Sequence, residues 1–117
     1  MLAKPYRFPI SRQFNILKKE GRLVNGSLFG LLVKNRPDNS LPRFGFVVSL
    51  KIDKRSVARH RLKRLLSEAV RLNLEKIKGG SDIIFLAKRT LSGKTFTEVE
   101  TEVMALLAKA QILKEER

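Results

Sequence analysis

The chain has 117 residues, no cysteine, 43% hydrophobic residues and a formal net charge of +14. That length suits one domain with a buried core, the apolar content argues against disorder, and the absence of thiols leaves out a disulfide framework and a thiolate metal site. The charge is polarised: residues 1–64 hold 16 basic and 3 acidic residues and residues 65–117 hold 9 and 8, a distribution that favours a polyanionic partner over mere solubility.

In chain order, Pro5 and Pro9 mark residues 1–10 as an extended N-terminal arm, and Lys4 and Arg7 deny it the apolar stretch of a signal peptide. Ser11 can cap a short helix in which Phe14 and Leu17 lie three apart, and Gly21 supplies its stop. Residues 23–34 are strand-like and broken by the turn pair Asn25-Gly26. Beyond that turn Phe29, Leu31 and Val33 share one face, and Gly30, Leu32 and Lys34 the other. Pro37, Asp38, Asn39, Ser40 and Pro42 make a loop. A strand from 43 to about 51 directs Phe44, Phe46, Val48 and Leu50 to a core. It leaves Gly45, Val47, Ser49 and Lys51 on a flatter, more polar face against which something else can lie.

Helical periodicity then runs from 56 to about 77, with Ala58, Leu62, Leu65, Leu66, Ala69 and Asn73 on one stripe. Gly79-Gly80 ends it, and residues 82–87 form a short buried strand, parallel to the strand before the helix. Thr97 with Glu100 fits a capping box ahead of a last helix carrying Val99, Val103, Leu106, Leu107 and Ala110. The expectation is a single α+β domain with one sheet. No apolar run reaches membrane-spanning length, which predicts a soluble, cytoplasmic protein without a membrane partner.

The chemistry concentrates in residues 51–64, half of which are basic: Lys51, Lys54, Arg55, Arg59, Arg61, Lys63 and Arg64, with His60 among them and only Asp53 opposing. His60, Arg61, Arg64 and Arg71 project away from the apolar stripe and Arg59 and Lys63 flank it, so the first two turns expose a cationic surface. Guanidinium forks match phosphate oxygens, and a helix start adds positive field. A lesser reading has the stems of Arg59 and Lys63 only covering core edges. A protein nuclease would need clustered carboxylates or a histidine pair. Here a single histidine sits among arginines, and the one dense acidic group, Glu98, Glu100 and Glu102, has the helical spacing of a helix start. Glycine-loop, zinc-ligand and triad patterns are absent from the sequence.

Residues 43–71 (RFGFVVSLKIDKRSVARHRLKRLLSEAVR), followed by 82–89 (DIIFLAKR) and preceded by the Phe14 helix, resemble the bacterial ribonuclease P protein subunit. The likeness spans essentially the whole chain, and its most specific part is the run from Arg59 to Arg64. It implies a four-stranded mixed sheet with three helices in the order α-β-β-β-α-β-α and a left-handed β-α-β crossover, as in the second domain of a ribosomal small-subunit protein. It also implies an accessory role: the protein joins a catalytic RNA, and the complex removes the 5′ leader from precursor tRNA. Hydrolysis would fall to the RNA and its Mg2+ ions, with no further protein partner required.

By the same resemblance, Lys54, Arg55, Arg59, His60, Arg61, Lys63 and Arg64 would contact the catalytic RNA. The single-stranded leader would lie in a cleft between the first helix and the polar sheet face, with Phe14 as stacking platform, Lys18 beside it, and Gly30, Leu32, Val47, Ser49 and Lys51 as floor. Phe14 equally suits ordinary core packing with Leu17. The chain departs from the family pattern at three places: His60 stands where asparagine lies between the two arginines, Lys18 where a second aromatic follows Phe14, and Leu32 where the strand often has tyrosine. Three other readings are an RRM-like domain, suggested by Phe44-Gly45-Phe46-Val47, a ribosomal-type RNA-binding protein, and a DNA-binding regulator using the basic helix.

Overall fold

The computed structural model describes residues 2–38 and 40–114; Asn39 and the side chain of Ser11 lie outside the described residues. Helix α1 (Ile10–Glu20) precedes strands β1 (Arg22–Asn25), β2 (Phe29–Asn35) and β3 (Arg43–Val47). Helix α2 (Ser56–Arg71), strand β4 (Ser81–Ala87) and helix α3 (Phe96–Lys109) follow. The four strands form one sheet in the order β1-β2-β4-β3, antiparallel except for the parallel pair β3 and β4. This is the α-β-β-β-α-β-α arrangement and mixed sheet that the resemblance implies.

The hand of the crossover follows from the hydrogen bonds. Lys88 N–H donates to Leu28 O and Arg36 N–H to Gly80 O, so the even-numbered positions of β4 turn their backbone groups to β2 and the odd ones turn theirs to β3. Ile83 and Phe85 are odd, and their side chains enter the core shared with Leu62 and Leu66 of α2. For L-residues this sets β3 to the right of β4 when the upright strands are viewed from the helix layer. The path from β3 through α2 to β4 is therefore left-handed, against the usual preference.

Two cores form, one on each face of the sheet. The larger joins Phe29, Leu31, Val33, Phe44, Ile83 and Phe85 to α2 and α3, and the Phe85 ring lies 5.3 Å from that of Phe29 and 5.2 Å from that of Phe46. The smaller gathers Phe8, Leu17, Leu32 and Ile84 beneath α1. Gly45 permits that approach: a Cβ there would come within 2.9 Å of the Ile10 side chain. Because Ile10 must sit on Gly45, α1 starts at Ile10 with Pro9 at its N-cap, not with Ser11 as the cap.

Several boundaries differ from the sequence reading. The N-terminal arm is docked rather than extended. Leu2 is buried in the larger core, Lys4–Tyr6 make a 3₁₀ turn, and Phe8 N–H donates to Phe44 O at 2.9 Å, covering the outer edge of β3. Strand β3 stops at Val47, its last partner being Leu86. A turn closed by Ile52 N–H to Ser49 O follows, so Leu50 is 65% exposed instead of joining the core. Helix α2 stops at Arg71 because the buried Asn73 side chain donates to Ala69 O at 2.7 Å while its own N–H turns to Val70 O. The capping box of α3 is Thr95 with Glu98, two residues before Thr97 and Glu100. Both pairs fit the pattern, and starting at Phe96 lets that ring pack against the core.

Candidate nucleic-acid interface

The loop after β3 and the first turns of α2 are built by the basic residues themselves. Asp53 accepts from the backbone N–H of Arg55 at 2.9 Å and from its guanidinium at 3.1 and 3.0 Å. Those bonds hold the Asp53 carboxyl down at about 2. Arg59 donates from one guanidinium nitrogen to Asp53 O at 3.0 Å and Lys54 O at 2.8 Å. It thereby staples the loop to the helix. Carbonyl oxygens leave the Arg59 charge uncompensated, whereas Arg55 is largely matched by Asp53.

Beyond this staple the helix presents its cations outward. His60, Arg61 and Arg64 are exposed and, with Ser56 and Val57, line a shallow hollow on the first turns of α2. Lys54 is exposed and Lys63 half-buried. Among the described residues none of Lys51, Lys54, Arg59, His60, Arg61, Lys63 and Arg64 takes part in an ion pair. Elsewhere in the N-terminal half the pattern is mixed: Lys4, Arg7, Arg12, Lys18, Lys19 and Arg22 are likewise outside any ion pair among the described residues, whereas three others are paired. Arg36 and Arg43 both bind the buried Asp82, at 2.7 and 2.8 Å, and Lys34 pairs with Glu20. What sets the start of α2 apart is the density of its unpaired cations, Lys54, Arg59, Arg61, Lys63 and Arg64 falling within eleven residues.

A second hollow adjoins the first, lined by Leu50, Lys51, Ile52, Asp53, Lys54, Arg55 and Arg89. It brings Lys51, read from the sequence as a leader contact, together with Lys54 and Arg55 of the other set. Arg89 is an addition that the sequence reading missed. The parallel register of β3 and β4 places it opposite the loop after Val47, and an exposed basic residue just past a buried strand was the available signal.

The leader set is not assembled as a flat polar floor. Gly30 and Leu32 are buried, and Leu32 packs with Leu17, Phe8 and Ile84 under α1. The reason is apolar content: Leu32 and Ile84 on this face, and Leu17 on α1, can leave water only by meeting each other. Ser49 and Lys51 stand exposed on the loop beyond β3, not on the strand. What stays partly open is a strip of Phe14, Val47 and Leu86, each half-buried against the smaller core, with Lys18 exposed on α1. Leu86 went unnoticed because a uniformly apolar strand gives no alternation by which to assign its faces.

Carboxylates are likewise engaged in the fold. Glu98 closes the α3 cap, Glu100 accepts from Asn73, and Glu102 accepts from Ser27 and from Leu28 N–H. Only Glu98 of the three serves the start of α3. Among the described residues no three of His, Asp and Glu converge so as to hold a metal ion, and no helix is long and apolar enough to cross a membrane.

An α+β sandwich with a dense cationic helix start is the architecture of an RNA-binding protein. The family model for ribonuclease P matches residues 2–111. A ribonuclease P protein component of Alkaliphilus oremlandii is 40% identical over 98 residues, covering 84% of this chain and 83% of that protein. One from Clostridium kluyveri is 35% identical over 111 residues, covering 93% and 97%. The solved RNase P protein of Thermotoga maritima superposes with a TM-score of 0.81 at 28% identity, over 88% of this chain and 96% of that one. The chain belongs to the ribonuclease P protein family, as the protein part of a tRNA-processing endoribonuclease.

Proposed function

We propose that this chain docks a catalytic RNA through the start of α2 and helps that RNA remove the 5′ leader from precursor tRNA in the cytoplasm. The observation that carries the proposal is the contrast in compensation: Arg36, Arg43 and Arg55 are matched by carboxylates, whereas Lys54, Arg59, His60, Arg61, Lys63 and Arg64 are not. Uncompensated guanidinium groups on one exposed surface gain most from phosphate, by charge-assisted hydrogen bonds and counterion release.

Hydrolysis is assigned to the RNA. Among the described residues Asp53, Asp82, Glu98 and Glu102 are engaged in caps, hydrogen bonds and ion pairs and no three acids or histidines converge on a metal ion, so no step is routed through them. The leader is taken up by the half-open strip of Phe14, Val47 and Leu86, with Lys18, Lys51 and Arg89 as phosphate contacts. Stacking on a single half-buried ring leaves phosphate attraction as the larger contribution, which makes leader binding tolerant of sequence and sensitive to salt. No further protein is needed for this arrangement.

The test is to mix the purified chain with a bacterial ribonuclease P RNA and a precursor tRNA at low magnesium. Leader release that depends on both protein and RNA is expected. Release unaffected by the protein would contradict the accessory role, and release by the protein without RNA would contradict the assignment of hydrolysis.

A further inference from the structure

We infer that Asp53 is a positioning residue for RNA binding, an acid within the cationic surface that strengthens its hold on phosphate by fixing the turn that presents Lys51 and Lys54. The inference rests on the proposed docking of RNA at this surface. Residues 48–55 lie between β3 and α2 and belong to neither. Helix α2 has no side-chain cap at its N-cap residue, Arg55, so its entry is anchored by other means. Ile52 N–H donates to Ser49 O at 3.0 Å. Beyond that bond the segment is held by Asp53 and Arg59. The Asp53 carboxylate accepts from Arg55 N–H at 2.9 Å, the turn that an aspartate or asparagine makes with the backbone two residues on. With that turn in place, one guanidinium nitrogen of Arg59 reaches the carbonyls of both Asp53 and Lys54.

Two observations set Asp53 apart from an acid that only tempers the charge. Its side chain is 17% exposed against 80% for Arg55, so it is tucked into the turn while the cations stand outward. Both of its oxygens are also engaged by the Arg55 guanidinium. An approaching phosphate therefore meets an ion pair and not a bare carboxylate, and the repulsion that Asp53 adds is small. The gain is order. The turn forms one side of a hollow of about 940 Å3 in which Lys51 and Lys54 meet Arg89, which lies just past β4. None of these three cations takes part in an ion pair among the described residues. They come from two separate segments, and they can serve one stretch of RNA backbone together only while the turn keeps the lysines opposite the arginine. Ordering a loose loop on binding would cost affinity, and a turn already set in the free protein avoids that cost.

The experiment measures affinity for a bacterial ribonuclease P RNA transcript over a series of salt concentrations, for wild type, Asp53→Asn, Asp53→Ser and Asp53→Ala. Urea titration fixes a temperature at which the compared proteins are folded. All three substitutions remove the same negative charge, and they differ in the turn. Asparagine keeps an oxygen that accepts Arg55 N–H, serine makes the same turn more weakly, and alanine cannot make it. Asp53→Asn is expected to match wild type or bind up to about threefold tighter. Asp53→Ala should bind about tenfold more weakly than Asp53→Asn, and Asp53→Ser should fall between them. The salt slope should drop by about one for Asp53→Ala, although its net charge has risen, and stay unchanged for Asp53→Asn. A purely structural acid would move stability and leave that slope alone. If the alanine variant does not fold, the asparagine and serine variants carry the comparison. Equal affinities and slopes across the folded variants would overturn the inference while leaving RNA docking intact. Failure of wild type to bind the RNA would overturn the docking proposal and the inference with it.

Discussion

Arg59, Arg61 and Arg64 lie within six residues of one another yet do different work. Arg61 and Arg64 are exposed and free of ion pairs among the described residues, so replacing either by alanine should weaken RNA binding by about tenfold and reduce the salt slope by about one, with little change in melting temperature. Arg59 also ties Asp53 O and Lys54 O to the helix. Arg59→Ala should therefore weaken binding and cost about 1 kcal/mol of stability as well; binding and urea titrations on the three variants separate the roles. Asp53 gives a pH signature. Its carboxyl is lowered from 3.8 to about 2, so its contribution to stability is complete above the ordinary aspartate range and is lost as pH falls toward about 2. Asp53→Asn should be less stable than wild type at neutral pH, with the gap closing in acid denaturation below about pH 4.

Among the elements, α1 and α3 show how local pattern and packing divide the work. The Thr95–Glu98 box satisfies the first turn of α3, and Thr95→Ala should cost about 1 kcal/mol by urea unfolding, with Thr97→Ala near neutral. The sequence contained both candidate boxes, and only the packing of Phe96 decides between them. In α1, Leu17 is 1% exposed beneath the helix. Leu17→Ala should cost about 2–5 kcal/mol and loosen α1 from the sheet. The sequence showed this helix and its stop but not what lay below it. Gly45, read as part of an open face, is the site where Ile10 rests, and a glycine in a strand does not reveal whether water, ligand or helix occupies the space it leaves.

At the scale of the whole molecule, the element order, the parallel β3–β4 pair and the long cationic helix were legible because they follow from hydrophobic period and connection length. The left hand of the crossover was not, since spacing alone favours the opposite hand; it came from family resemblance and is seen in the backbone pairing. Asp82 was equally opaque. In sequence it is merely the first residue of an apolar run, yet it binds Arg36, just past the end of β2, and Arg43 of β3, and so withdraws two of the N-terminal cations from the RNA-facing surface. Asp82→Ala should cost about 3–5 kcal/mol, because it strands two partly buried guanidinium groups. Net charge alone therefore overstates the binding surface, and location decides it.

Charge reversal at matched cost tests that claim most directly. Arg61→Glu with Arg64→Glu and, as a control of equal charge change, Lys76→Glu with Lys109→Glu should be compared for affinity to a ribonuclease P RNA at one salt concentration. Both control residues are exposed and lie outside the start of α2. The α2 pair should lose at least about a hundredfold and the control pair only a few fold. Equal losses would mean that the RNA responds to overall charge, with no role for the uncompensated start of α2.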